Sequence, residues 1–285
     1  MRSKTVWPQP VERHRHVLEV CSRPRKYSAF MTLLDAPSIS PAAVGIALES
    51  RLDESLAVML YGSHARGTNE PGSDIDVLEL VADAPSPYSL GDMNVTQYTP
   101  GHLGGMAQRG SLFVLHLLTD GVIVTDPSGI LAAALQQYRR PSSYVPIWNQ
   151  LAIAAGAVNP NAPDASRFAV GLSRLALYTL RTAVYLHSIE AGEPCFDVDR
   201  AGEQLRIDRL PEVLRWRRRS DFSADDLTIL SDLLSAVLPF RTPAETRSTV
   251  GYAVAHSSSP DLAALFTTVL GEGRIEYSAL SVPPF

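Results

Sequence analysis

Lysine is almost missing from this chain. Only Lys4 and Lys26 occur, so arginine supplies 23 of the 25 basic residues. Such a bias reflects either genome base composition or phosphate recognition, since a guanidinium group binds phosphate through two parallel hydrogen bonds. Composition alone does not choose between them. Cysteine is equally scarce: Cys21 and Cys195 are too few for a disulfide scaffold or a four-cysteine zinc site, and both are expected to be reduced thiols. Long apolar runs are lacking as well. The most apolar stretch, residues 168–186, is interrupted by Arg174 and Arg181, short of the ~18 uncharged residues a membrane span needs. Residues 1–26 are broken up by Arg, His and Pro and offer no apolar core for a signal peptide. The expectation is a cytoplasmic protein that makes no membrane contact. Charged residues make up only 19% of the 285, against 45% hydrophobic, the balance of a core-forming chain rather than a disordered one. The length suits one large domain or two ordinary ones.

The net charge of −5 conceals an asymmetry, because residues 1–30 carry +5 and the remainder −10. Residues 1–38 are rich in Pro, Arg and His and read as a basic extension with one short helix over residues 11–21. Ser40-Pro41 then has the chemistry of a helix start, a capping hydroxyl followed by proline in the first turn, and that helix is expected to reach about Leu52. Short apolar runs at residues 55–61, 75–82, 93–98 and 122–125 read as strands, with residues 86–92 as a loop. Helices are expected after Thr99-Pro100, over residues 112–118 and over 130–138. The Arg139-Arg140-Pro141-Ser142-Ser143 stretch is a candidate boundary. Beyond it the pattern is helical throughout, the longest element running from Asp164 to Gly192, with others at 200–206, 211–219, 224–238, 244–256 and 260–270. The expected organisation is therefore an extension (1–38), a mixed α/β (α+β) domain with a short mixed sheet (39–140), and an all-α helical-bundle domain (141–285).

The chemistry concentrates in Tyr61-Gly62-Ser63-His64-Ala65-Arg66-Gly67, followed by Gly72-Ser73-Asp74-Ile75-Asp76-Val77. A buried strand ends in Gly62-Ser63, where the missing side chain lets a phosphate approach the backbone. The hydroxyl of Ser63, and a helix starting there, add donors for an anion. Asp74 and Asp76 stand two apart on a predicted strand and so share a face. Side-by-side carboxylates repel unless a cation lies between them, and such oxygen ligands suit Mg²⁺, or Mn²⁺, shared with substrate phosphates. An acid at position 76, flanked by Ile75 and Val77, is costly in a buried strand unless it is paired or metal-bound.

This run resembles the signature of the polymerase-β-like nucleotidyltransferases, and most closely that of the minimal nucleotidyltransferases of prokaryotes. The resemblance rests on Gly62, Ser63, Ala65, Arg66, Gly67, Ser73, Asp74, Ile75 and Asp76, and the order of surrounding elements extends it to about residues 40–138. It implies transfer of a nucleoside monophosphate from an NTP, ATP foremost, to an acceptor hydroxyl with release of pyrophosphate. Asp74 and Asp76 would be catalytic and hold the metal. Gly62, Ser63, Arg66 and Ser73 would bind the nucleotide. The acceptor implied is a protein side chain, as in toxin–antitoxin or defence systems, an RNA, or a small molecule such as an aminoglycoside.

One departure stands out. The family carries a third carboxylate on the next strand, and strand parity puts Asn94 at that position. An asparagine oxygen still ligates a metal but cannot serve as a general base. The alternative reading is thus a catalytically impaired module that binds nucleotide or a partner protein, the latter through its helical half. In that half Arg167, Arg174 and Arg181 recur every seven residues and form one helical stripe. The stripe is either a solvated face or, for Arg174 and Arg181, a triphosphate-binding face turned to the cleft. The Arg215–Arg219 cluster around Trp216 reads as a charged helix end, with RNA contact as its alternative. His116, among apolar neighbours, reads as a core histidine. Arg181 and His187 also fit the loose Arg–His spacing of ribonuclease-type helical domains.

Overall fold

A computed structural model of the chain describes residues 31–32, 41–49, 54–240, 247–257 and 259–271. The helix expected at 11–21, the Ser40 cap, Cys21 and the beginning of the helix expected at 244 lie outside them. Six strands form one mixed sheet: β1 (Met31–Thr32), β2 (Ala57–Tyr61), β3 (Ile75–Leu80), β4 (Tyr88–Leu90), β5 (Met93–Tyr98) and β6 (Val122–Thr125). Their order is β1-β6-β2-β3-β5-β4. The pairs β3–β5 and β1–β6 are parallel and the others antiparallel. Two strands differ from the expectation. Met31–Thr32, assigned to the extension, adds a strand beside β6, and the segment read as a loop at 86–92 contains the edge strand β4. Its three residues are half-buried or exposed, so they carry no apolar alternation from which a strand is read.

Alternation along the inner strands gives the sheet two apolar faces. Met59, Tyr61, Leu78, Leu80 and Tyr98 pack against α3 (Pro100–Gln108), α4 (Leu112–Asp120) and α5 (Ile130–Leu135). Val58, Leu60, Ile75, Val77, Met93 and Val95 pack on the other side, against Ala43 and Ala47 of α1 (Pro41–Glu49) and Ala65 of α2 (Gly62–Arg66). The Thr99 hydroxyl caps α3 as its sequence suggests, accepting from the His102 amide at 3.2 Å. Asp126, which closes β6, caps α5 by accepting from the Leu131 and Ala132 amides at 3.3 and 3.0 Å.

The second half consists of α6 (Val145–Ala157), α7 (Ala169–Glu190), α8 (Val198–Gln204), α9 (Leu210–Leu214), α10 (Ala224–Val237), α11 (Thr249–His256) and α12 (Pro260–Leu270). The helix expected from Asp164 is divided, with a 3-10 turn at Ala165–Phe168 preceding α7. Asp164 is engaged elsewhere: its carboxylate accepts from the Thr249 and Val250 amides at 2.6 and 3.3 Å and so caps α11. α7 is the spine of the helical half, with Leu172, Leu175, Leu180 and Val184 buried among α6, α10 and α12. The same apolar cluster includes Leu112 and Leu115 of α4. No helix among the described residues is long and apolar enough to cross a membrane.

Candidate active site

The site begins where β2 ends. Tyr61 leaves the strand and Gly62 turns the chain with φ +76°. A side chain there would be strained, and its Cβ would lie 2.5 Å from Asp76 Oδ2. The space beside Gly62 is thus taken by a carboxylate of its own chain, whereas the sequence suggested a gap left for phosphate. α2 lasts one turn and is closed by Gly67 in the left-handed conformation, with the Gly67 and Thr68 amides donating to the Ser63 carbonyl. His64 Nε2 donates to the Ser73 carbonyl at 3.1 Å and ties α2 to the approach of β3. The Ser73 hydroxyl accepts from the Glu70 amide at 2.9 Å, and the Ser73 amide donates to the Glu70 carbonyl. That serine closes the turn while its side lines the cleft.

Register brings the next groups together. Asp76 on β3 lies opposite Tyr61 on one side and opposite Asn94 of β5 on the other. The parity argument for Asn94 therefore places it in the strand position adjoining Asp76. Asp74 is exposed and lies just before β3 rather than on it. Burial, followed by the charge of Asp74, pushes the Asp76 carboxyl up to about 7, against the opposing pull of Arg181, Arg66 and Arg217. No described residue donates a hydrogen bond to Asp76, so nearby charge and not a direct contact balances it. Asn94 Oδ1 accepts from the Ser89 hydroxyl at 2.9 Å.

A cleft of about 650 Å³ opens over these residues. Ser63, Arg66, Asp76 and Asn94 line it from the sheet side, and Arg181, Phe196 and Arg217 from the helical side. Arg66 Nη1 donates to Asp120 Oδ2 at 2.7 Å, and its Nε lies 3.9 Å from Asp197 Oδ2. This arginine therefore braces α2 against α4 and the start of α8 in addition to lining the cleft.

Residues 47–90, which run from the end of α1 through β4 and include Gly62, Ser63, Asp74 and Asp76, match the family model of the nucleotidyltransferase domain. Over these residues the chain is similar to a nucleotidyltransferase domain, in keeping with the polymerase-β-like resemblance of its motif. It is also similar to the solved structure of a nucleotidyltransferase-like protein from Exiguobacterium sibiricum 255-15, at 14% identity and a TM-score of 0.25 over 68% of this chain and 71% of that one. No curated protein matches the chain.

The helical wall of the cleft departs from the arginine-stripe expectation. Arg181 lines the cleft. Arg174, two turns earlier on α7, is half-buried outside its lining, and Arg167 is exposed at the 3-10 turn. Seven residues of α7 separate Arg174 from Arg181 by about 10 Å along the axis and Arg167 precedes the helix, so of the three only Arg181 lines the cleft. Arg217 takes the place the stripe was expected to fill. The cluster that contains it was visible in the sequence, but its neighbours are committed locally: Arg219 makes a bidentate pair with Asp226 at 3.0 and 3.1 Å, and Arg215 pairs with Asp199 at 3.0 Å. His187, half of the ribonuclease-like spacing, donates to the Val237 carbonyl at 2.8 Å beside Trp148, in the helical core and away from Arg181.

His116 is packed among aromatic rings as its apolar neighbours suggest, and it also reaches the cleft. Its Nε2 lies 3.3 Å from Asp120 Oδ2. Its ring stacks on Phe196 at 4.6 Å and meets Tyr61 edge-on at 5.7 Å. Its spacing of four from Asp120 on one helix was the available signal.

Among the described residues, no group of three or more His, Cys, Asp or Glu side chains gathers to hold a metal. The donor set that fits a cation is the Asp76 carboxyl with Asp74 beside it. Asp76 is half-buried, accepts no hydrogen bond from a described residue and is raised in pKa by desolvation and then by the charge of Asp74, and a divalent ion relieves the unpaired charge and the repulsion.

Proposed function

We propose that the cleft binds a nucleoside triphosphate with Mg²⁺ or Mn²⁺ and transfers its nucleoside monophosphate to an acceptor hydroxyl. The observation that carries this reading is Asp76: a half-buried carboxyl held at the end of a phosphate-turn motif, with Asp74 beside it and three arginines acting on it. Asp74 and Asp76 hold the ion, which when bound neutralises charge on the phosphates and polarises the α-phosphorus. Ser63 and the first amides of α2 receive the outer phosphates. Arg181 and Arg217 draw the triphosphate in from the helical wall and offset charge on the departing pyrophosphate. The acceptor oxygen forms a bond to the α-phosphorus, the bond to the bridging oxygen breaks, and pyrophosphate leaves. The acceptor enters between the halves, where aromatic rings and charges of both signs line the walls.

The donor set suits one ion, since among the described residues no third carboxylate joins Asp74 and Asp76. That gap, with Asn94 already accepting from Ser89, favours the second reading, a domain that binds nucleotide without transfer. One assay separates the two. The protein is incubated with each α-labelled NTP and Mg²⁺ or Mn²⁺, alone, with total RNA and with cell extract. Transfer that vanishes in D74A and D76A is expected; NTP binding without transfer to anything selects the binding module.

A further inference from the structure

Transfer from an NTP to a hydroxyl leaves one proton to be removed, and the position that would carry the third acid holds Asn94, which cannot remove it. The other carboxylates lining the cleft are engaged or turned aside. Asp197 caps α8 by accepting from the Arg200 amide at 3.1 Å, Asp199 is paired with Arg215, and Glu70 sits exposed in the turn closed by Ser73.

His116 meets the remaining requirements. It lines the same cleft as Asp76 and is linked to it through Tyr61, which stands opposite Asp76 in the sheet and packs its ring edge-on against the imidazole. Its Nε2 is shut off from solvent 3.3 Å from Asp120 Oδ2, an ion-pair contact without hydrogen-bond geometry, and Asp120 is itself fixed by Arg66. The negative charge beside Nε2 favours the tautomer with its proton on that nitrogen and leaves Nδ1 as the basic atom. Phe196, stacked on the ring, fixes its plane.

We propose that His116, oriented by Asp120, is the general base of this site and replaces the missing third carboxylate; this rests on the transferase reading above. The acceptor O–H proton passes to Nδ1 as the oxygen bonds to the α-phosphorus. Pyrophosphate departs with the electron pair of the broken P–O bond, and the imidazolium then returns its proton to water. Asp120 is a positioning residue. The groups acting on His116 are Asp120 on its own helix, Arg66 of α2 and Arg181 of α7, and burial holds the imidazole below its ordinary pKa, which keeps it neutral at physiological pH.

The test uses the full chain, α-labelled ATP with Mg²⁺, and whichever of total RNA, cell extract or the protein itself the wild type labels. H116A and H116Q are expected to lose ~100-fold or more in transfer rate while ATP affinity stays within about threefold of wild type. Free imidazole should restore part of the H116A rate, and the pH–rate profile of both variants should lose the His116 contribution to its acidic limb while keeping the one set by Asp76. Either variant keeping more than about a third of the rate, or losing it with no imidazole rescue and an unaltered pH profile, makes His116 a packing group and overturns the proposal while leaving transfer intact. A wild type that binds ATP but labels nothing overturns the transferase reading, and this proposal with it.

Discussion

Asp76 concentrates the physical tension of this site. Its carboxyl is raised to about 7 in the fold against an ordinary 3.8, so between those values the unfolded chain is ionised where the folded one still holds a proton. Stability therefore falls as pH rises from about 4 to about 7 and levels off above. D76N removes this dependence. In metal-free buffer the two proteins should be equally stable near pH 4, and at pH 8 the variant should be the more stable by up to ~4 kcal/mol. Urea unfolding across that range checks it, and parallel curves at all pH values would refute it. Added Mg²⁺ should raise the Tm of the wild type at pH 8 and leave D76N unmoved. Gly62 is the companion constraint. Alanine there brings its Cβ against Asp76 Oδ2 and takes a positive φ, a strain of ~1–3 kcal/mol. G62A should lose Tm and NTP affinity together; unchanged affinity would mean that the Gly62–Asp76 contact does not shape the site.

Among the elements, the edge strand β4 owes its place to polar contacts. Tyr88 donates to Glu79 Oε1 at 3.0 Å, Gln97 donates to Glu79 Oε2 at 2.8 Å, and the Ser86 amide donates to Gln97 Oε1 at 2.9 Å. Glu79 is 1% exposed, so each lost donor leaves a buried carboxylate less satisfied. Burial and then the bond to Glu79 push the Tyr88 phenol up to about 12, so it stays a donor at all working pH values. Y88F should cost ~1–3 kcal/mol in urea unfolding and loosen the strand that carries Ser89 to Asn94. A loss indistinguishable from zero would show the network to be decorative.

This strand also marks the limit of what the sequence discloses. β5 and β6 are legible to the residue because their apolar positions alternate or run together, and the adjacency of Asp76 and Asn94 follows from parity alone. β4 is not legible, because its stabilising groups are polar and come from β3 and β5. Arg66 illustrates the same limit within the site. Its motif position was clear, while its partner Asp120 lies 54 residues on and is supplied only by the fold. Arg217 lines the cleft and Arg174 does not for a related reason: a stripe on a helix specifies a face, and only packing decides which neighbour that face meets.

At the scale of the molecule, the boundary at residues 139–143 divides the sequence pattern but not the apolar packing. Leu112 and Leu115 of α4 belong to the cluster built on α7. Arg140 Nη2 donates to the Ile189 carbonyl at 3.1 Å, and Phe196 of the helical half stacks on His116 of the other. The cleft is formed by both walls, so the relative position of the halves sets the distance between Asp76 and Arg181 or Arg217. Cooperative unfolding follows from a shared core. The full chain, with Trp7 replaced by Phe so that fluorescence reports only Trp148 and Trp216 of the helical half, should melt in a single transition whether followed by that fluorescence or by the far-ultraviolet signal of the whole. A saturating NTP with Mg²⁺ should move that one transition upward by mass action. A fragment of residues 141–285 lacks Leu112, Leu115 and His116, so it should bind a hydrophobic dye that the full chain does not. Two resolved transitions, with ligand shifting only one of them, would show that the halves fold independently and that the packing across residues 139–143 does not couple them.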